Sequence, residues 1–519
     1  MGLFLPAAVH AEFSYPTNGG AVYYTITNGA ITITSWASAV GYTNACIPAT
    51  ISNLPVTSIA DDAFYDSTYM IGVSIPNTVT NIGNNAFFQT FLFSVAIPDS
   101  VISIGTNAFY WCNYMTNASI GNGVTSIGDG AFALCESLTR VTLGTNLISI
   151  GNDVFANCLD LNNVTIPNKV ANIGNEAFVA TSQTRITIPQ SVTNIGIDVF
   201  GTCGNLTAIN VDPNNPAYSS IGGVLFNKSQ TTLIAFPESS ASYYPNYTIP
   251  NSVTKIESWA FYSCSLYDVT MFGSVTDIGD HAFNDCYNLT NVIIPASVTN
   301  IGDSAFSGCY DLTAITVNPN NPAYSSVNGV LFNKRQTTLI QYPGGLAGNY
   351  TIPNSVVSIG DNAFAVNFSL TNVTIGNGVA SIGASAFEYC NNLMNVYFTG
   401  NAPSVDSTAF YLDTATAYYL PGTTGWTVFA KNSGLQTALW FLPNPAILTF
   451  EPNFGVHTNR FGFTISWDTN ISVAVDACTN LAKPAWTPIA TNTLTGGAAY
   501  FSDPQWTNYP GRFYRLRSP

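Results

Sequence analysis

Charged side chains are scarce in this sequence of 519 residues, because Asp, Glu, Lys and Arg together make up only 8% of it. An average soluble protein has roughly 25%. The 13 basic residues are outnumbered by 28 acidic ones, so the clustered Lys and Arg that bind phosphate are missing. This excludes nucleic acid as the expected partner and disfavours an anionic membrane surface. Apolar runs fall short of the ~20 residues of a spanning helix, so no membrane insertion is expected.

Histidine is nearly absent as well, with only His10, His281 and His457 in the chain. One usable histidine per region cannot supply a Ser-His-Asp or Cys-His set. The cysteines form no C-x-x-C pair, which disfavours zinc, and no nucleotide, calcium or metalloprotease motif occurs. The sequence therefore predicts no catalytic residue, metal or cofactor. A secreted polysaccharide-active enzyme remains a minor alternative, located in residues 446–519.

A repeat of 22 or 23 residues fills the middle of the chain. The dipeptide Ala-Phe or Val-Phe marks its thirteen units, with the Phe at positions 64, 87, 109, 132, 155, 178, 200, 261, 283, 306, 364, 387 and 410. One full unit, from Cys158 to Phe178, is CLDLNNVTIPNKVANIGNEAF. Val164 and Ile166 alternate with polar residues as in a half-buried strand, and Pro167 ends that strand because it cannot donate to a ladder.

A short helical turn is predicted before each repeat Phe. Three residues before the Phe, eleven of the thirteen units have Asp, Asn, Ser or Thr, as at Asp61, Asn175 and Asp303. These residue types cap helix N-termini with a side-chain oxygen. The regularly spaced carboxylates therefore have a structural explanation, and they do not argue for acid-base catalysis.

Two longer gaps between units contain related segments. NNPAYSS is followed by GGVLFNKSQTTLIAFP in one gap and by NGVLFNKRQTTLIQYP in the other. Paired β-rich runs around Asn-Lys predict hairpins, inserted near 212–246 and 318–349, that loop out and rejoin the repeat. Because no unit can bury its own apolar face, neighbouring units must stack into a solenoid.

The pattern C-x-x-L-x-x-V-x-I-P-x-x-V-x-x-I-G-x-x-A-F closely resembles the BspA-like leucine-rich repeats of bacterial surface proteins, as does the insert with NNPAYSS, GVLFNK and YTIPNSV. The resemblance covers residues 46–437. It implies a leucine-rich-repeat solenoid with parallel strands and short helical turns. It also implies surface binding or adhesion, and it carries over no catalytic residue.

The flanking segments complete the domain organisation. Residues 1–11 resemble an apparently truncated signal peptide, with small Val9 and Ala11 at the cleavage positions but no basic start, so a secreted or cell-surface location is expected. Residues 12–45 are interpreted as an N-terminal β cap and 46–410 as the solenoid. Residues 411–442 form a C-terminal cap and linker, and 443–519 a small all-β, sandwich-like module.

Eight of the ten cysteines share one position, three residues after the repeat Phe. They are Cys112, Cys135, Cys158, Cys203, Cys264, Cys286, Cys309 and Cys390. Other units have Ser, Thr, Asn or Asp there, and all of these side chains can hydrogen-bond the backbone in a tight turn. Runs of three cysteines cannot pair off completely, so we expect a structural ladder of free thiols.

The outward side chains of the strands are the candidate binding surface. Asn and Thr dominate them, and the candidate residues are Asn163, Thr165, Asn291, Thr374, Asn395 and Tyr397, together with Tyr218 and Tyr324 in the inserted hairpins. A neutral, hydrogen-bonding surface suits an extracellular protein or a neutral glycan. Two alternatives stay open. These side chains can simply keep the face soluble in a structural component of the envelope or matrix, and rows of Thr also resemble ice-binding solenoids.

Overall fold

The computed structural model describes residues 13–17, 20–38, 41, 43–239, 245–450 and 452–518. The signal-peptide remnant expected at 1–11 lies outside the described residues. The chain divides into two compact units, one comprising Met1–Tyr287 with Asn300–Ala305 and the other Asn288–Thr299 with Phe306–Pro519. Both units contain coils of a parallel-strand solenoid, which confirms the predicted fold class.

The first strand of each coil alternates inward apolar and outward polar side chains; we call its outward surface the strand face. Val141, for example, is buried between exposed Arg140 and Thr142, and the neighbouring strands pair in parallel and in register. In the first unit these strands are Thr43–Cys46, Met70–Ser74, Ser94–Ile97, Asn117–Ile120, Arg140–Thr142, Arg185–Ile188, Ala208–Val211, Asn246–Thr248 and Asp268–Thr270. In the second unit they are Asn291–Ile294, Ala314–Val317, Gly348–Thr351, Leu370–Ile375, Asn395–Phe398, Thr416–Tyr419 and Gln436–Leu439.

A second strand of two residues follows the Pro turn of most coils, and its Ile or Val points inward. These short strands also pair in parallel, as Ile104 does with Ile127. In the first unit they are Asn81–Ile82, Ser103–Ile104, Ser126–Ile127, Ser149–Ile150, Asn172–Ile173, Asn194–Ile195, Lys255–Ile256, Asp277–Ile278 and Asn300–Ile301. In the second unit they are Ser358–Ile359, Ser381–Ile382 and Ser404–Val405.

The prediction of a helical turn before each repeat Phe is wrong, because the chain forms consecutive tight turns there. Asp62 and Asp66 have left-handed φ values of 59° and 53°, and a left-handed residue every fourth position prevents a right-handed helix. Backbone bonds between coils alternate with bonds inside the turn, such as that from the Tyr65 N–H to the Asp62 carbonyl at 3.0 Å. The N–H groups of Asp62 and Phe64 donate to the carbonyls of Asn84 and Ala86 in the next coil, at 2.9 and 2.8 Å.

The repeat Phe rings stack in the core of each unit. The centroids of Phe87 and Phe109 are 5.0 Å apart with an interplanar angle of 5°, and both side chains are fully buried. Parallel coils place the same side chain at one level of each turn, so the aromatic column follows from the repeat itself.

Each insert contributes three strands, which are Tyr218–Ile221, Val224–Asn227 and Thr232–Ala235 in one unit and Tyr324–Val327, Val330–Asn333 and Thr338–Gln341 in the other. The antiparallel pairing of the last two strands in each set confirms the predicted hairpins. The insert rejoins the solenoid at its last strand, because Thr232 and Leu233 pair in parallel with Lys255 and Ile256. Phe236 then fills the place of a repeat Phe, 5.2 Å from Phe261.

The first coil of the first unit and the last coils of the second unit are each covered. The antiparallel strands Phe13–Thr17, Gly20–Thr27 and Ala30–Ser38 precede the hairpin of Thr50–Ile51 and Leu54–Ile59. Ala30–Ser38 pairs in parallel with Leu54–Ile59, so it closes the first coil as solenoids require. In the second unit, the helix Trp426–Ser433 packs Trp426 and Phe429 against Phe398, with ring centroids 4.9 and 5.1 Å apart.

The C-terminal segment of the second unit folds into two antiparallel sheets. One contains Ala446–Leu448, Gly455–His457, Arg460–Ser466 and Ala498–Asp503, and the other Ser472–Cys478, Thr487–Thr493 and Phe513–Arg517. A 3-10 turn spans Trp506–Asn508. Phe463 and Ile465 from the first sheet and Val473 and Val475 from the second share one buried cluster, as in a sandwich.

Candidate functional site

The predicted residues Asn163 and Thr165 are exposed on the strand face of the first unit, with Val164 and Ile166 buried between and beside them. The alternation is as expected, but the segment is not a strand. Among the described residues, the backbone of 163–166 enters no strand pairing. The strand pairing along the strand face is therefore interrupted between Arg140–Thr142, an edge strand of its sheet, and Arg185–Ile188.

Gln183 explains this interruption. Its side chain is only 1% exposed and occupies the position held by Leu161 and Leu206 in the neighbouring coils. A buried amide requires hydrogen-bond partners. Gln183 Oε1 accepts from the Val164 N–H at 3.3 Å, and Gln183 Nε2 donates to the Leu161 carbonyl at 3.2 Å. The side chain thus occupies backbone groups of the 161–166 segment, and a polar residue in a Leu position was the sequence signal for it.

A cleft of about 320 Å³ opens between the main chain of 140–145 and that of 163–167; we call it the Arg140 cleft. The Thr142, Asn163 and Thr165 side chains line it together with Arg140. Val141 and Leu143 also line it, although their side chains are buried, so they contribute main-chain atoms. Its volume lies at the lower end of the range for ligand sites.

The candidate residues of the second unit have neighbours that use part of their bonding capacity. Asn395 Nδ2 donates to Asn372 Oδ1, and Asn372 Nδ2 donates to Asn349 Oδ1, both at 2.6 Å. Asn291 and Thr374 are half-buried. An amide ladder of this kind stabilises adjacent strands, so Asn395 has a structural role besides any contact with a ligand.

Tyr397 lies in an aromatic cluster that we call the Tyr397 platform. Its ring stacks on that of Tyr418 with centroids 5.3 Å apart and an interplanar angle of 23°, and it lies 4.9 Å from Trp440. Tyr397 and Tyr418 are paired, half-exposed residues of neighbouring strands. Tyr418 and Trp440 were not identified from the sequence, because both lie beyond the last repeat Phe.

The hairpin candidates take part in the fold. The Tyr218 hydroxyl accepts a hydrogen bond from the Ile195 N–H at 2.9 Å, and burial raises the pKa of this hydroxyl. Lys228 Nζ donates to the Pro213 carbonyl at 3.2 Å. Tyr324 is half-buried in the equivalent position of the other insert. Within the first unit, Tyr218 does not line the cleft beside Asn163.

The ladder cysteines bridge adjacent coils. Cys135 Sγ donates to the Phe109 carbonyl, and Cys158 Sγ to the Phe132 carbonyl, each at 3.1 Å. Burial raises the pKa of the Cys158 thiol well above its usual range, so the thiol stays protonated and can donate. All ten cysteines are free, and Cys46 is the exposed one.

Two carboxyl groups of the first unit share a small cavity. Asp198 and Glu238 line a cavity of about 20 Å³ together with Trp259 and Tyr262. Burial raises the pKa of both carboxyls to about 7, and the nearby Glu176 adds to the shift at Asp198. A cavity of this volume holds about one water molecule, which is too little for a sugar substrate.

The C-terminal module contains a more open cleft of about 410 Å³, whose lining includes Asp503 and Arg512. Asp503 forms an ion pair with Arg512 at 2.8 Å and accepts hydrogen bonds from the Tyr514 hydroxyl and the Gln505 N–H, both at 2.9 Å. The carboxylate is therefore committed to structural contacts. Within the described ranges, no group of three or more His, Cys, Asp or Glu side chains is placed to hold a metal ion. No helix in those ranges is long and apolar enough to span a membrane.

Comparison with known proteins gives one family. The model of the BspA type leucine rich repeat region (6 copies) matches residues 42–158, 129–246, 241–347 and 346–436. No curated protein sequence matches the chain.

Several solved structures are similar in part. A leucine-rich repeat protein from Eubacterium ventriosum ATCC 27560 is 25% identical, with a TM-score of 0.49 over 78% of this chain and 95% of that one. A leucine rich cell surface protein from Faecalibacterium prausnitzii A2-165 is 26% identical, with a TM-score of 0.46 over 76% and 97% of the two chains. The pneumococcal vaccine antigen PcpA is 18% identical, with a TM-score of 0.44 over 84% and 100%.

Proposed function

Because the chain belongs to the BspA-type leucine-rich repeat family, we propose that it is a secreted or surface-displayed bacterial protein that binds an extracellular protein or glycan through its strand face. The family supplies a repeat scaffold without a catalytic motif. Stacked repeats of this kind present an extended surface on one side, which repeat proteins commonly use for binding.

One observation carries the proposal. The strand face keeps exposed Asn163, Thr165 and Thr142 around a cleft while the apolar residues between them are buried. These neutral groups donate and accept hydrogen bonds. A partner that competes well with water for them must itself offer many hydrogen-bonding groups, as proteins and glycans do.

The experiment is an array of extracellular proteins and glycans probed with the full chain and with strand-face variants. We expect saturable binding of at least one component. Asn163→Glu with Thr165→Glu, or Asn291→Glu with Thr374→Glu, should reduce that binding by introducing unmatched charge. Thr106→Glu is the control, because Thr106 is exposed and lies among the turn residues before a repeat Phe. Circular dichroism of each variant shows whether the fold is retained.

Other outcomes point to the alternatives. Absence of any saturable partner would overturn the proposal and favour a structural component of the envelope or matrix. Undiminished binding by both strand-face variants, with loss on deletion of residues 214–246 or 320–349, would move the site to the inserted hairpins. Turnover of a polysaccharide by the full chain would favour the enzyme alternative.

A further inference from the structure

The Arg140 cleft differs from the rest of the strand face in its charge. Arg140 and Arg185 occupy the same repeat position on either side of Asn163, and both are exposed. Within the described part of the chain, neither guanidinium has an ion-pair or hydrogen-bond partner. Two unpaired guanidinium groups on a chain with a net charge of −15 form a local site for anions.

The cleft also differs in its backbone. Arg140–Thr142 is the edge strand of its sheet, and an edge strand leaves alternate N–H and C=O groups without a ladder partner. The opposite wall, 163–166, enters no strand pairing either, and its Val164 N–H is bonded to a side chain. The free main-chain groups of the Arg140–Thr142 edge therefore remain open to hydrogen bonds with a ligand in the cleft.

We propose that the Arg140 cleft binds an extended acidic peptide segment, whose main chain hydrogen-bonds the free groups of Arg140–Thr142 and whose carboxylates contact Arg140 and, beyond the cleft, Arg185. This inference rests on the proposed binding function and names the chemistry of the partner. Arginine recognises carboxylates through two parallel hydrogen bonds. Two coil spacings separate Arg140 from Arg185, about 10 Å or more at the usual strand spacing, so the two guanidinium groups select carboxylates on separate residues of one segment.

A peptide fits these observations better than an acidic glycan does. The Arg140 cleft offers the free main-chain N–H and C=O groups of its edge strand, which match the C=O and N–H groups of a peptide main chain. The Thr142 and Thr165 side chains that line the cleft can hydrogen-bond a peptide or a glycan equally well. The walls contain no carboxylate that would repel an acidic segment.

The test uses the full chain and synthetic peptides of about ten residues, the upper length of common strands. One peptide alternates Thr with Glu, a second alternates Thr with Gln, and a third alternates Thr with Lys. We expect the Thr-Glu peptide to bind at least about tenfold more tightly than the other two, and its affinity to fall as salt is raised from ~0.05 to ~0.5 M. Methylation of alternate backbone nitrogens of that peptide should weaken binding further.

Variants locate the site. Arg140→Gln with Arg185→Gln should reduce affinity for the Thr-Glu peptide by about tenfold or more, with an unchanged Tm because both side chains are exposed and unpaired. Arg335→Gln is the matched control, since Arg335 is an exposed arginine in the insert of the second unit. Equal binding of the Thr-Glu and Thr-Gln peptides, or no effect of the double variant, would overturn the inference.

Two further results separate this inference from the proposed function. Binding of oligogalacturonate but not of the Thr-Glu peptide, lost in the double variant, would overturn the peptide assignment in favour of an acidic glycan. Array partners that depend on Asn163 and Thr165 but not on Arg140 would leave the proposed function standing and overturn only the acidic-peptide inference.

Discussion

At the scale of single residues, the repeat Phe carries the largest apolar burial. Phe155 is fully buried, with Phe132 and Phe178 rings 5.8 and 5.5 Å away on either side. Phe155→Ala removes contacts to both neighbours and leaves a cavity, so the free energy of unfolding should fall by ~3–5 kcal/mol. Phe93→Ala is the control, because Phe93 is 53% exposed and should cost less than ~1 kcal/mol. Equal losses in chemical denaturation would contradict the stacked-ring core.

The ladder thiols give a second prediction at this scale. Cys135 donates to the Phe109 carbonyl of the preceding coil, and a serine hydroxyl can make the same bond. Cys135→Ser should therefore lower the free energy of unfolding by about 1 kcal/mol or less, whereas Cys135→Ala leaves a buried carbonyl without its donor and should cost ~1–3 kcal/mol more. Thermal denaturation of the two variants distinguishes them. An alanine variant as stable as the serine variant would show that the thiol acts only by filling space.

Residue patterns predicted the inward strand positions and the repeat Phe but not the backbone conformation of the turns. Leu134 and Val366 have left-handed φ values of 58° and 59°, and such side chains disfavour that region. Their conformation is imposed by the bonds between coils rather than by local preference, since the Leu134 N–H donates to the Ala156 carbonyl at 2.8 Å. A sequence pattern reports local conformational preference, so it could not indicate these left-handed turn residues.

At the scale of the coil, side chains expected to cap their own turn hydrogen-bond the next one. Asn152 Oδ1 accepts from the Asn175 N–H, and Asn175 Oδ1 from the Ile197 N–H, both at 2.8 Å. The sequence predicted that oxygen-bearing residues satisfy backbone N–H groups. The predicted hydrogen bonds lay within one helical turn, because the period of the sequence does not reveal which coil supplies the N–H donor. The same reasoning missed the cleft, since Gln183 acts on the 161–166 segment of the preceding coil.

This ladder between coils gives a prediction of its own. Asn175→Ala removes the acceptor for the Ile197 N–H and should lower the free energy of unfolding by ~0.5–2 kcal/mol, the usual cost of losing such a cap. Thr106→Ala is a matched control, because Thr106 occupies the same repeat position and its side chain makes no hydrogen bond among the described residues. Hydrogen exchange at Ile197 should also become faster in Asn175→Ala. Equal stability of the two variants would contradict the bonding role.

At the scale of the whole molecule, the period of the sequence was sufficient to predict a solenoid, because identical units can bury their apolar faces only by stacking. It was not sufficient to locate a binding site. Asn or Thr recurs on the outward side of most coils, and the Arg140 cleft arises where one coil departs from the pattern at Gln183. The cleft depends on contacts between coils, which the period of the sequence does not report.

The pH dependence of stability is the prediction that involves the chain as a whole. Burial raises the pKa of Asp198 and Glu238 to about 7 in the folded state, against ordinary values near 4. Between about pH 4 and pH 7 the folded chain then binds more protons than the unfolded chain, so stability falls as pH rises through this window. Each group contributes a change in stability on the order of 1 kcal/mol across this window, after allowance for its partial exposure.

Variants of the two carboxyls test this pH dependence. Asp198→Asn with Glu238→Gln should raise the Tm at about pH 8 and flatten the dependence of Tm on pH between about pH 5 and pH 8. Asp99→Asn, an exposed control that retains an acceptor for the Asn122 N–H, should leave the slope unchanged. A pH profile of Tm that is identical in wild type and the double variant would show that these carboxyls titrate normally.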